Sequence, residues 1–163
     1  YYCKQTVFGL IRAAAAADGY KLLIDGTNAS DDAGDRPGMK ALQEMSVRSP
    51  LRECGLTKAQ IRENSRQAGL FTWNKPAYAC LATRIPAETP ITPEDLARTE
   101  KAEDDLVALG FTDFRVRQMG NAATLQLPDA QLAHIVEARE QIVATLKQWY
   151  DTVLLDLEVR DES

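Results

Sequence analysis

The sequence predicts an α/β protein: a parallel-sheet domain over residues 1–88, then a smaller α+β domain over residues 89–163. Three observations carry that expectation. A helical repeat of Val7, Leu10, Ile11 and Ala14 leads at once into the short apolar run 20–24, the helix-then-strand order of a parallel sheet. The polar loop Asp25-Gly26-Thr27-Asn28 leaves the carboxyl end of that run, where open α/β sheets bind ligands. Beyond Pro86, Pro90 and Pro93 the pattern changes to helix, hairpin, helix and strand.

Taken in order, residues 6–17 form an Ala-rich helix that Asp18-Gly19 ends, with glycine just past the last helical residue. Residues 20–24 read as a buried strand. Residues 39–44 suit a helical turn, and 47–51 a short strand that Pro50 stops. Thr57 and Gln60 have the spacing of a capping box, opening a helix that runs to about Ala68 before Gly69. Thr92-Pro93-Glu94-Asp95 then offers an N-cap, a first-turn proline and acids for the helix dipole, so a helix should run to Gly110. In Phe114-Arg115-Val116-Arg117-Gln118 alternation puts both arginines on one face of a strand. Gly120-Asn121 turns the chain into a second strand over 123–127. A helix from Pro128-Asp129 and a closing strand over 153–159 complete the smaller domain.

With 45% hydrophobic and 26% charged residues, the composition is that of an ordinary globular chain. A net charge of −5 disfavours a nucleic-acid surface but allows a local basic pocket. No apolar run approaches the roughly 20 residues that span a bilayer. Three cysteines, Cys3, Cys54 and Cys80, are an odd count without a disulfide framework, which fits a reducing cytoplasm. Tyr1-Tyr2-Cys3-Lys4 runs straight into a helix without an initiator methionine, so further sequence is expected before it.

Four groups of residues could carry chemistry. Cys80 lies between Pro76 and Pro86 with Lys75, Thr83 and Arg84 nearby, a cationic setting that favours thiolate; a buried structural cysteine is the other reading. Asp25, Asp31, Asp32 and Asp35 could hold Mg²⁺ or a ribose hydroxyl, while the same residues also make ordinary polar turns. Lys58 and Arg62 share a helix face, either solvated or aimed at an anion. Arg115 and Arg117, about 7 Å apart along their strand, suit a phosphate or a pair of surface salt bridges. His134, alone in an apolar helix pattern, reads as packed or exposed rather than catalytic.

Seven blocks occur in order: Asp25-Gly26-Thr27-Asn28, Arg36-Pro37-Gly38, Arg48-Ser49-Pro50-Leu51, Gly55-Leu56-Thr57-Lys58 with Ile61-Arg62, Trp73-Asn74-Lys75-Pro76, Cys80-Leu81-Ala82-Thr83-Arg84-Ile85-Pro86, and Arg115-Val116-Arg117. Together they resemble the ATP-dependent sulfur transferases of nickel-pincer cofactor biosynthesis, the LarE family of the PP-loop pyrophosphatase superfamily. The resemblance implies an enzyme that uses ATP and Mg²⁺ to adenylylate carboxylates of pyridinium-3,5-biscarboxylic acid mononucleotide. It then converts them to thiocarboxylates, toward the nickel-pincer cofactor of lactate racemase. It also implies a homo-oligomer, with neither nucleic acid nor membrane as partner.

Carried onto this sequence, the resemblance assigns Asp25, Gly26, Thr27 and Asn28 to the nucleotide. Thr83, Arg84, Arg115 and Arg117 go to the cofactor and substrate-phosphate site, and Glu103 to a metal or subunit contact. Cys80 becomes the sulfur-handling residue. The sulfur would come either from Cys80 itself, leaving dehydroalanine, or from a 4Fe-4S cluster held by Cys3, Cys80 and a third cysteine upstream of Tyr1. The pattern at Tyr1-Tyr2-Cys3-Lys4 favours the cluster. Cys54 falls outside that pattern and reads as structural. The Ser-Gly-Gly-x-Asp-Ser type loop of the superfamily is absent, and it is expected in the missing N-terminal part of the first domain. Thr83 replaces the usual serine, and Ala87-Glu88 the usual Tyr-Gly.

Two other readings compete. One is a different PP-loop enzyme, such as an amidotransferase akin to GMP or NAD synthetase, or a tRNA thiolase. The other is a non-catalytic oligomerisation module built on residues 92–163.

Overall fold

The computed structural model describes residues 1–31 and 37–160. The chain divides into two compact units, Tyr1–Lys75 and Pro76–Ser163. This division precedes the proline cluster used to bound the domains in sequence, because Arg84 is anchored on Glu103 and carries its segment into the second unit.

In the first unit, α1 (Tyr2–Ala17) packs along α2 (Pro37–Glu44), followed by α3 (Pro50–Glu53) and α4 (Lys58–Gln67). Gly19, at φ 85°, takes the left-handed position that ends α1 without Cβ strain. Thr57 and Gln60 form the capping box of α4 in both directions. Among the described residues of this unit the buried apolar ones are few: Ala41, Leu42 and Val47. The strand expected at 20–24 is reduced to one parallel bridge between Ile24 and Arg48, made by Asp25 N–H to Arg48 O and Arg48 N–H to Leu23 O. Tyr20, Leu22 and Ile24 are exposed rather than buried. No further strand pairs with this bridge among the described residues, so the parallel sheet expected here is not formed. The strand expected at 47–51 likewise contracts to Arg48, since Pro50 starts α3.

The second unit has a conventional core. Its long helix α5 (Pro93–Ala108) begins where Thr92 Oγ1 accepts from Asp95 N–H. It buries Thr99, Ala102, Glu103 and Leu106, the i, i+3, i+4, i+7 stripe of a helix face. Strands β1 (Arg115–Met119) and β2 (Ala122–Gln126) pair antiparallel through the two-residue loop Gly120-Asn121, with Gly120 at φ 59°. β3 (Thr152–Leu155) pairs parallel to β2, giving the order β1-β2-β3. A parallel neighbour needs a crossover, here the 3-10 turn Asp129–Gln131 with α6 (Leu132–Glu137) and α7 (Arg139–Leu146). The single helix expected after Pro128 is broken at Ala138, which has φ −89° and ψ 5°. β3 stops before the expected 159, with Leu157 83% exposed.

Leu106, Phe111, Val116, Leu125, Ile142, Leu146 and Tyr150 form the centre of this core. Each such side chain contributes about 1.5–3 kcal/mol through burial. Gln118 shares the core face of β1 with Val116; it is satisfied by Asp95 O, Thr99 Oγ1 and Arg98. No helix among the described residues is long and apolar enough to cross a membrane.

Candidate functional site

Most of the predicted chemistry meets in the second unit. Cys80 sits at the N-cap of a short 3-10 turn, Leu81–Arg84, and its thiol is free and exposed. The buried structural reading of that cysteine therefore falls. The turn is tightly closed: Thr83 N–H and Thr83 Oγ1 both donate to Cys80 O, at 2.9 and 2.8 Å. The Thr83 hydroxyl proton thus shapes the turn that presents Cys80.

Arg84 behaves differently from the ligand residue expected. It is only 1% exposed. Its Nε donates to Glu103 Oε1 at 2.7 Å and its Nη2 to Glu103 Oε2 at 3.1 Å. Its Nη1 reaches Thr83 Oγ1 at 3.1 Å and Ala79 O at 3.3 Å. The charge of Arg84 is therefore neutralised inside the protein. Glu103, 2% exposed, also accepts Val116 N–H at 3.0 Å, so both its oxygens are engaged. This carboxylate is the counter-ion of Arg84 and the anchor of β1. Tyr78 lies with its ring 5.3 Å from the Arg84 guanidinium. Desolvation, then the Glu103 carboxylate, pushes its phenol up to about 12.

Arg115 and Arg117 lie on the face of β1 opposite Val116 and Gln118, as alternation requires. Arg117 donates through Nε to Gln126 Oε1, and through Nη1 to Thr83 O at 3.4 Å, which ties the arginine strand to the cysteine turn. Gln126 in turn donates to Asp156 Oδ2 at 2.6 Å, and that bond holds the Asp156 carboxyl below its ordinary range. Arg115 is half-buried, and its pKa is lowered, first by desolvation and then by Arg160, Arg84 and Arg117 around it. Asp113 acts in the opposite sense, and Arg84 and Arg160 carry their own carboxylates, so Arg117 is the neighbouring cation with no ion pair of its own among the described residues. Arg160 itself bonds to Asp113 through backbone and side-chain oxygens.

In the first unit, the loop that follows the Ile24 bridge is organised by its own side chains. Asp25 accepts from Ser49 Oγ at 2.6 Å and from Thr27 N–H and Oγ1. Burial opposes its ionisation, but these bonds prevail and hold its pKa below the usual value. Asn28 Oδ1 accepts from Ser30 N–H, and Asn28 N–H donates to Asp31 Oδ2. Gly26 is exposed, with open space where a Cβ would stand, so a ligand has access to the backbone there. Asp32, Asp35 and Arg36 fall outside the described residues. Ser30 Oγ accepts from Lys58 N–H, while Arg62 Nη2 donates to Lys75 O. Cys3 and Cys54 are exposed and free, so Cys54 has no structural burial. His134 stacks on Phe111 with ring centroids 4.6 Å apart, a packing role. Among the described residues no three His, Cys, Asp or Glu side chains come close enough to hold a metal ion.

Sequence reading missed Gln126, Asp156, Arg160 and the Ser49–Asp25 bond. Gln126 alone had a signal, since a hairpin turning at Gly120-Asn121 sets it opposite Arg115.

Three curated proteins are similar to the chain. It is 38% identical over 161 residues to an uncharacterized protein of Synechocystis sp., 97% of the chain and 60% of that protein. It is 32% identical over 158 residues to the pyridinium-3,5-bisthiocarboxylic acid mononucleotide synthase of Lactiplantibacillus plantarum, 96% of the chain and 57% of the synthase. An uncharacterized protein of Methanocaldococcus jannaschii is 29% identical over 160 residues, covering 62% of its length. The chain thus spans 57–62% of the length of these relatives. No protein-family model matches it.

Proposed function

We propose that the protein carrying this chain is an ATP-dependent sulfur transferase of the LarE kind, within the PP-loop superfamily. It converts carboxylates of pyridinium-3,5-biscarboxylic acid mononucleotide to thiocarboxylates through an adenylylated intermediate. The single observation that carries the reading is the joining of Cys80, Thr83 and Arg117 on the strand that also carries Arg115, in a chain similar to a named bisthiocarboxylic acid mononucleotide synthase.

Arg115 and Arg117 bind the substrate's phosphate, whose charge relieves the crowding of guanidinium groups. The Asp25 loop contacts the nucleotide, with the Asp25 carboxylate kept ionised by Ser49 and Thr27. Mg²⁺ would offset phosphate charge when bound. Cys80 delivers sulfur. Its thiolate attacks the acyl carbon of the adenylate, forming a thioester and releasing AMP. A base then removes the Cys80 α-proton, the Cβ–S bond breaks, and thiocarboxylate leaves dehydroalanine behind. Within the same function, a 4Fe-4S cluster ligated by Cys80 and Cys3 with a third thiolate from outside the chain would spare Cys80. The free, exposed state of both thiols fits either source, although the described residues do not themselves assemble a metal site.

The test uses the full-length protein with ATP, Mg²⁺ and the mononucleotide. Pyrophosphate release with a thiocarboxylate product supports the reading, and its absence ends it. A protein lighter by the elements of hydrogen sulfide identifies Cys80 as the source, whereas an intact mass with bound iron identifies the cluster.

A further inference from the structure

We infer that Glu103 is the positioning residue of the site: its one carboxylate joins the turn that presents Cys80 to the strand that aims Arg115 and Arg117. The inference rests on the sulfur-transfer reading for what the site does, but on geometry alone for the clamp.

Three segments meet on this group. Glu103 projects from the buried stripe of α5, at a position where a helix normally places an aliphatic side chain. From one side, Arg84 docks on it with two bonds and passes the constraint to Ala79 O and Thr83 Oγ1, the residues flanking the cysteine turn. From the other, Val116 N–H donates to Oε1. β1 is an edge strand, so this N–H lacks a partner strand on its open side. Val116 stands between Arg115 and Arg117, so fixing its backbone fixes the plane from which both guanidinium groups project. A neutral or apolar residue at 103 would leave Arg84 buried and uncompensated. A shorter acid would reach one segment and lose the other.

Because Arg84 is neutralised by Glu103, the cations left to a ligand are those of β1. The clamp therefore sets both the spacing of the site and where its positive charge lies. Glu103 and Arg84 touch no substrate in this role.

The experiment compares Glu103→Gln and Glu103→Asp with Leu146→Ala, a core substitution remote from the turn, in the full-length protein. Two readouts are taken: affinity for pyridinium-3,5-biscarboxylic acid mononucleotide by calorimetry, and the rate of iodoacetamide alkylation at Cys80 by peptide mass spectrometry. Both Glu103 variants should bind the mononucleotide about tenfold more weakly, the cost of misplacing one charged contact. Glu103→Gln should also speed Cys80 alkylation by about threefold, because the turn that presents the thiol loses the anchor it has through Arg84 at Ala79 O and Thr83 Oγ1. Leu146→Ala should melt earlier and leave both readouts unchanged. Glu103→Asp keeps the charge, so it serves where Glu103→Gln fails to fold. The proposal is overturned if the Glu103 variants lower only the melting temperature, or if Leu146→Ala shifts the two readouts as much. If the wild type binds no mononucleotide, the sulfur-transfer reading falls, and the alkylation rates alone decide the clamp.

Discussion

Arg84 and Glu103 form a fully buried, two-bond ion pair, with Nε 2.7 Å from Oε1 and Nη2 3.1 Å from Oε2. At 1% and 2% exposure, neither charge has water to fall back on. Removing one partner leaves the other uncompensated, so Arg84→Ala should lower unfolding free energy by about 3–5 kcal/mol. The double change Arg84→Met with Glu103→Leu should recover most of that loss. Chemical denaturation of the wild type and the two variants checks both statements. A double mutant no more stable than the single would show that the bonds to Ala79 and Val116, rather than the charges, dominate.

Cys80 is the exposed thiol at the head of the turn. On the proposed function, in which adenylylation precedes sulfur transfer, Cys80→Ala should abolish thiocarboxylate formation while ATP–pyrophosphate exchange continues. Cys54→Ala should change neither. Loss of exchange in Cys80→Ala would assign the thiol to nucleotide binding instead.

The Arg115 side chain donates no hydrogen bond to a described residue, and on the proposed function it meets the substrate's phosphate, so its substitution should cost binding and not stability. Arg115→Leu is expected to weaken binding of the mononucleotide by about ten- to a hundredfold, the range for a hydrogen bond to a charged group. Its melting temperature without ligand should match or exceed that of the wild type. Inorganic phosphate should raise the melting temperature of the wild type and not of Arg115→Leu.

Asp25 is a carboxylate whose folded pKa is depressed. Its contribution is present above the unfolded value of about 3.9 and is lost as pH falls through the lower folded value. Ser49→Ala removes the 2.6 Å bond that depresses it. The melting temperature of the wild type should exceed that of Ser49→Ala by a constant margin above about pH 5, and the margin should shrink below about pH 4. A margin independent of pH would assign the effect to packing.

Tyr78 has the opposite sign. Its folded pKa is raised to about 12, so the neutral phenol is favoured in the fold, and its contribution is lost as pH rises from about 10 through 12. Ultraviolet titration of phenolate should show a late step that disappears in Tyr78→Phe. A step left intact would place the late-titrating phenol elsewhere.

Much of the second unit was legible along the chain. Thr92-Pro93 announced α5, alternation announced β1 and the shared face of Arg115 and Arg117, and Gly120-Asn121 announced the hairpin. The first unit was less so. An apolar run such as 20–24 reads as a buried strand only if neighbouring strands cover it, and periodicity says nothing about neighbours. Ile24 has one bridge partner and is exposed. The partner of Arg84 was hidden for a related reason: an arginine beside a cysteine suggests a ligand, and nothing local reveals a glutamate nineteen residues on that takes its charge.

Local chemistry, which the order of residues determines by itself, set the caps, the turns, the strand faces and the presence of a thiol in a proline-bounded loop. Only the tertiary structure decided which of those side chains are free to act. A guanidinium and a carboxylate look equally available in a sequence, but desolvation makes an unpaired buried charge so costly that the fold must pair them. That pairing joins Arg84 to Glu103, while the Cys80 thiol stays exposed and Arg115 and Arg117 stay half-buried on one face of β1.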